Sequence, residues 1–146
     1  MYTKLKRISI SNAKTSIDET SSDIPTSESN TSSQVTVAIT DIKNDEDYYT
    51  SIIVGNQEFC VLLDTGSSNL WIPNNNCTDY GCQNVRRFNS SQSPTFKPED
   101  NKWEILYGSG FAFGITEKDN IQIANLTAIE QIFGLADFVD DNFKDL

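Results

Sequence analysis

The residues best suited to chemistry lie in one short string, Asp64-Thr65-Gly66-Ser67-Ser68-Asn69-Leu70-Trp71-Ile72-Pro73. A carboxylate here follows an apolar run, Phe59 to Leu63, and enters a Thr-Gly turn. That order delivers Asp64 from a rigid strand into a tight loop. Gly66 lets backbone N–H groups come close to the carboxylate. Thr65 and Ser67 carry hydroxyls able to orient it. Donors of this kind favour the ionised form of an acid. As a bare tripeptide, Asp-Thr-Gly also describes an ordinary β-turn. The chain has no histidine, which excludes Ser-His-Asp and Cys-His machinery and histidine zinc sites within it. Acid–base work therefore falls to carboxylates, and neither a metal nor a cofactor is expected.

These residues need strands to hold them, and the last two-thirds of the chain reads as strands. VTVAI (35–39), YYTSIIV (48–54, closed by the turn signal Gly55-Asn56), Glu58–Leu63, Asn69–Pro73, Trp103–Tyr107, Phe111–Ile115, Ile121–Ile123 and Ile129–Leu135 are short β-type runs set off by turns and glycines. Asn74–Arg87 reads as a polar loop with two cysteines, and a short helical turn is expected near Phe138–Asp145. Little helical periodicity is present, so the expected class is all-β. Glu58–Leu63 is expected to be a buried strand, with Cys60 as a small core residue, since no base or exposure is evident that would make its thiol reactive.

Residues 1–34 differ. They are rich in Ser and Thr and nearly lack aromatics, too little apolar surface to offset ordering entropy. They are expected to form a flexible leader, with residues 35–146 as the folded unit. Within the leader, the basic-apolar patch Tyr2–Ile10 is suited to pairing as a strand with something acidic. Its positive charges resemble the start of a signal peptide, but no apolar segment follows.

Net charge is -10 and the isoelectric point about 4.3, the wrong sign for a nucleic-acid partner and compatible with work in acid. No run reaches the roughly 18 apolar residues of a membrane span. The three cysteines, Cys60, Cys77 and Cys82, leave at least one thiol unpaired within the chain. Sequons at Asn30, Asn76, Asn89 and Asn125 lean toward a secretory route.

DTGSSNLWIP resembles the active-site signature of the pepsin-like aspartic proteases almost residue for residue, and the likeness continues on both sides. Tyr48–Gly55 is similar to the family's opening strand, Cys77–Cys82 to its small disulfide loop, and Ile105-Leu106-Tyr107-Gly108-Ser109-Gly110 to the hairpin flap over its cleft, with Ser where Thr is common. Gly114, Asp119 and EQIFGL (130–135) follow in order. The resemblance implies the N-terminal lobe of a bilobal acid protease, with a peptide or protein as substrate. It implies Asp64 as the first of two aspartates that share a proton and activate a water. It also implies Tyr107, Gly108 and Ser109 as the flap, Trp71 as support for Tyr107, and a Cys77–Cys82 disulfide. The leader resembles an inhibitory pro-segment, in which Lys4, Lys6 or Arg7 would neutralise the aspartates. A secreted or endolysosomal protein is implied.

Two departures set the remaining expectations. No second Asp-Thr/Ser-Gly turn occurs, and the chain stops at Leu146 before the apolar-apolar-Gly segment that braces the first active-site loop in the family. The lobe is thus expected to be incomplete at its C-terminus, to need a C-terminal lobe as partner, and to be inactive alone. The rival readings are a non-catalytic peptide-binding relative and a homodimeric protease in which each chain gives one aspartate.

Overall fold

Alternation builds the first hairpin. In β3 (Asp47–Val54) Ile52 and Val54 point into the core while Ser51 and Ile53 face out. Gly55 and Asn56 both take positive φ, 53° and 66°, the backbone that a two-residue hairpin turn requires. β4 (Gln57–Leu63) then returns antiparallel, in register from Val54↔Gln57 to Tyr49↔Leu62. The computed structural model describes residues 3–5, 36–42 and 47–143.

The remaining strands extend this hairpin into one sheet. β1 (Thr3–Leu5) runs parallel to Val61–Leu63, and β2 (Thr40–Ile42) is antiparallel to β3. β5 (Trp71–Pro73) is buried throughout and lies parallel to Gly134–Ala136. β6 (Lys97–Tyr107), β7 (Gly110–Ile123) and β8 (Leu126–Val139) form two successive antiparallel pairs. The order is β1-β4-β3-β7-β8-β5, with β2 beside β3 and β6 beside β7. The only helical pieces among the described residues are three single 3₁₀ turns, at Tyr80–Cys82, Ser90–Gln92 and Asp141–Phe143. The protein is all-β, as the sequence leads one to expect.

Two cores hold the sheet. The larger joins Ile52, Val54, Phe59, Val61, Ile72, Phe88, Ile121, Phe133 and Leu135. Phe88 meets Phe133 edge-on at 5.6 Å. Burial of each such ring contributes about 1.5–3 kcal/mol. The smaller core packs Trp71, both half-cystines, Ala112, Ala136, Val139 and Phe143 beneath the β6–β7 hairpin.

Several expectations change. The 35–39 strand is absent from the described residues 36–39, and pairing begins at Thr40. β-branched residues suit a strand, but only a partner makes one. Ala38 instead gives its carbonyl to Thr50 Oγ1 at 2.8 Å. The runs 111–115 and 121–123 are one strand of 14 residues, bent by irregularities at Phe113/Gly114 and Asp119/Ile121. Within β4 Glu58 and Cys60 are exposed while Phe59, Val61 and Leu62 are buried, and Cys60 lies opposite Ser51. The leader, residues 1–34, lies outside the described residues except for Thr3–Leu5, whose strand partner is the apolar Val61–Leu63 rather than an acidic segment.

Candidate active site

Asp64 stands one residue past the end of β4 and is half-buried. The Gly66 N–H donates to its Oδ1 at 2.8 Å. A Cβ on Gly66 would sit 3.1 Å from that same oxygen, so a glycine is what allows the backbone so near the carboxylate. Thr65 is exposed. Ser67 turns its hydroxyl inward. Its Oγ is buried with no hydrogen-bond partner of good geometry among the described residues, yet it lies near enough to the Tyr107 phenol to lower that group's pKa.

Tyr107 arrives from the opposite side. It ends β6 directly across from Gly110, and Gly108 and Ser109 form the exposed two-residue tip between. Trp71, 3% exposed, donates its indole N–H to Tyr107 Oη at 3.0 Å. Phe143 packs edge-on against both rings, at 5.7 Å from Tyr107 and 6.1 Å from Trp71, and Trp103 tilts against Trp71 at 6.0 Å. Burial, above all, pushes the Tyr107 phenol above its ordinary value, and the charge of Asp64 pushes the same way. The Trp71 bond and the nearby Ser67 hydroxyl oppose them. Asp64, Ser67, Trp71 and Tyr107, spread over 44 positions of sequence, thus come together at one place.

Trp103 and Phe143 were missed by sequence reasoning. Trp103, Ile105 and Tyr107 alternate along one strand, so a period of two already sets Trp103 on the Tyr107 face. Phe143 is a single ring in the acidic run Val139–Asp145, and an isolated aromatic among charges is a signal for an anchor. The opposite face of the hairpin carries a different aromatic set. Phe138 stacks on Phe111 at 5.1 Å and on Phe113 at 4.9 Å, and Leu106 beside them is 81% exposed.

Cys77 and Cys82 are bonded, with Cα atoms 6.0 Å apart. Both are 1% exposed and belong to the small core with Trp71 and Phe143, so the disulfide loop buttresses the floor under Tyr107. Arg87 Nη1 donates to the Cys77 carbonyl at 2.8 Å. Cys60 is a free, exposed thiol, not the buried core residue expected. Partial burial still raises its pKa. Of the sequons, Asn76 and Asn125 are exposed, and Asn125 sits in the β7–β8 turn. Asn89 spends its side chain capping the turn at Ser90–Gln92, accepting from Ser91 N at 3.1 Å. Asn30 lies outside the described residues, as do Lys6 and Arg7. Among the described residues no three His, Cys, Asp or Glu side chains gather as a metal site, and no helix is long and apolar enough to cross a membrane.

Residues 47–145 match the family described as eukaryotic aspartyl protease. The chain belongs to that family. It is similar to pepsin A of Rhinolophus ferrumequinum, 41% identical over 101 residues that make up 68% of this chain and 26% of that protein. Embryonic pepsinogen of Gallus gallus is 43% identical over 94 residues, 63% of this chain and 24% of that protein. Pepsin A of Sus scrofa is 37% identical over 101 residues, again 68% and 26%. The chain spans about a quarter of the length of the curated relatives it matches. Asp64, Trp71, the disulfide and Tyr107 all fall within the matched residues, on an all-β lobe of the pepsin type.

Proposed function

We propose that Asp64 is one of two catalytic carboxylates of an aspartic endopeptidase. The observation that carries this reading is the convergence on Asp64 of a phenol, Tyr107, that a buried indole holds in place. One carboxylate, ionised, takes a proton from a water as that water attacks the scissile peptide carbonyl. The other, protonated, donates a hydrogen bond to the carbonyl oxygen. Two close carboxylates do not both ionise cheaply, so the pair shares a proton. Tyr107, with Gly108 and Ser109 at the hairpin tip, closes over the peptide and reduces water access. The second aspartate belongs to a C-terminal lobe, because the 146 residues hold only one Asp-Thr-Gly turn.

Two further parts of the reading concern the whole protein. The leader acts as a pro-segment: Leu5 pairs with Leu63, the residue next to Asp64, which starts the leader beside the catalytic turn. The protein travels a secretory or endolysosomal route, supported by a disulfide of the kind that persists in oxidising compartments and by exposed sequons at Asn76 and Asn125. Glycan attachment at those two is expected before Asn89, whose side chain is engaged.

The experiment compares the 146-residue chain with a version extended to the length of its relatives, each given a protein substrate at acid pH. The extended protein is expected to cleave it and the short chain is not. Cleavage by the short chain, together with a dimer in sedimentation, replaces this reading with the homodimeric one. Peptide binding without cleavage by the extended protein replaces it with a non-catalytic one.

A further inference from the structure

The base of the β6–β7 hairpin contains an acidic arrangement that the reaction does not use. β6 slips register between Pro98 and Asn101, and Asp100 there takes a left-handed φ of 57°, the geometry of a bulge that bends and re-aims a strand. β7 grips this bulge from both of its faces. On the inner face Glu117, 3% exposed, accepts the Glu99 backbone N–H at 2.7 Å. On the outer face the Glu99 side chain accepts from Thr116 Oγ1 at 2.9 Å and pairs with Lys118 Nζ at 2.9 Å. One residue of the bulge is thus held twice, by its backbone through one carboxyl and by its side chain as another.

We propose that Glu117 and Glu99 together make the hold on the hairpin base pH-selective: it is tightest in a mildly acid window, loosens above it as Glu117 ionises and loosens below it as Glu99 takes a proton. That the hairpin is a substrate flap rests on the function proposed above; the pH-selective hold does not.

The surroundings of the two acids differ in the required sense. Glu117 lies across β7 from Pro98 on one side and Phe133 on the other. Burial there, above all, raises its pKa from the ordinary 4.5, and the charges of Asp100 and Glu99 add to this. The N–H groups of Glu99 and Asp100 oppose it. Glu99 is lowered from 4.5, first by the bond from Lys118 and then by that from Thr116. Two other charged groups near the base have partners of their own. Lys97 pairs with Glu130, and Asp119, the next inward residue of β7, accepts from Thr95 Oγ1 and the Asn120 N–H.

The signs follow by linkage. A raised carboxyl contributes its stability below its unfolded value and loses it as pH rises through the folded one. A lowered carboxylate contributes above its unfolded value and loses it as pH falls through the folded one. The two limbs bound a window around 4.5, with Glu117 neutral and Glu99 ionised inside it. Ionised Glu117 accepts the Glu99 N–H more strongly than the protonated acid does, but burial penalises the charge by more than that bond offsets, so ionisation favours a hairpin base opened to water.

The test is amide hydrogen exchange of Glu99 to Asn101 and Gly108 to Phe111 in the full-length protein, without substrate, over a pH series and corrected for the intrinsic chemical rate. Protection is expected to peak in mild acid and to fall on each side by at most about tenfold per pH unit, the limit for one proton. Glu117→Gln is expected to abolish the fall above the window, and Glu99→Gln the fall below it. Unchanged limbs in both variants overturn the proposal. If the Glu117 variant does not fold, carbon-13 NMR titration of the Glu117 carboxyl in the unsubstituted protein decides: a midpoint above 4.5 supports the hold, and one at or below it overturns it. Exchange is read without catalysis, so a protein with no peptidase activity still answers the question.

Discussion

Trp71 and Tyr107, 36 residues apart, are joined by an indole-to-phenol hydrogen bond of 3.0 Å. The bond connects a wholly buried strand, β5, to the end of a hairpin whose tip is exposed. It ties a phenol that feels the charge of Asp64 to the buried part of the fold.

Trp71→Phe keeps most of the ring packing against Phe143 and Trp103 but removes the donor. A loss of about 0.5–1.5 kcal/mol in denaturant stability is expected for one neutral hydrogen bond. The indole bond lowers the Tyr107 pKa, so its removal shifts that phenol further up. Ultraviolet difference titration, with Tyr107→Phe to identify the signal, reads the shift. A downward shift would mean that Trp71 does not act on Tyr107 as a donor.

Gly114 pairs with Ala136 where the β7–β8 register shifts, and a Cβ there would run into the backbone carbonyl of Leu135. Backbone yields less readily than the end of a side chain. Gly114→Ala is therefore expected to cost about 1–3 kcal/mol or more, measured by urea unfolding. A change under about 0.5 kcal/mol, the range of neutral surface substitutions, would show that the strands separate without penalty.

Much of this was legible in the sequence because the relevant residues are close neighbours in it. The Asp64-Thr65-Gly66 turn, the Gly55-Asn56 hairpin and the Cys77–Cys82 loop each form within a few residues, where turn chemistry and chain stiffness decide the outcome. Cys60 shows how apolar composition misleads: a run that reads as continuously buried turns Glu58 and Cys60 to solvent, though only Glu58 within it is marked as polar. The long β7 was divided in expectation because Thr116 to Asn120 looks like a polar break. The strand continues by burying Glu117 and Asp119 with partners, which only tertiary structure supplies.

The thiols should separate cleanly in a reagent assay. One, Cys60, is exposed and expected to react in the folded protein, slowly because partial burial raises its pKa. The other two appear only after reduction. The Cys77–Cys82 bond closes only a short loop, so breaking it is expected to cost roughly 2 kcal/mol, read by unfolding with and without reductant. Three reactive thiols before reduction would contradict the pairing.

The most direct test of the account is peptide hydrolysis by the full-length protein at acid pH with Asn in place of Asp64. The amide nearly matches the carboxylate in shape but takes no proton from water. Folding is checked by the Trp71 and Trp103 fluorescence, which the substitution should leave intact. The account predicts that Asp64→Asn lowers kcat by at least about 10²–10⁴-fold, the usual share of acid–base catalysis, with the fluorescence unchanged. Cleavage at the unsubstituted rate would contradict it, and Asp64 would then be no more than the carboxylate of a β-turn.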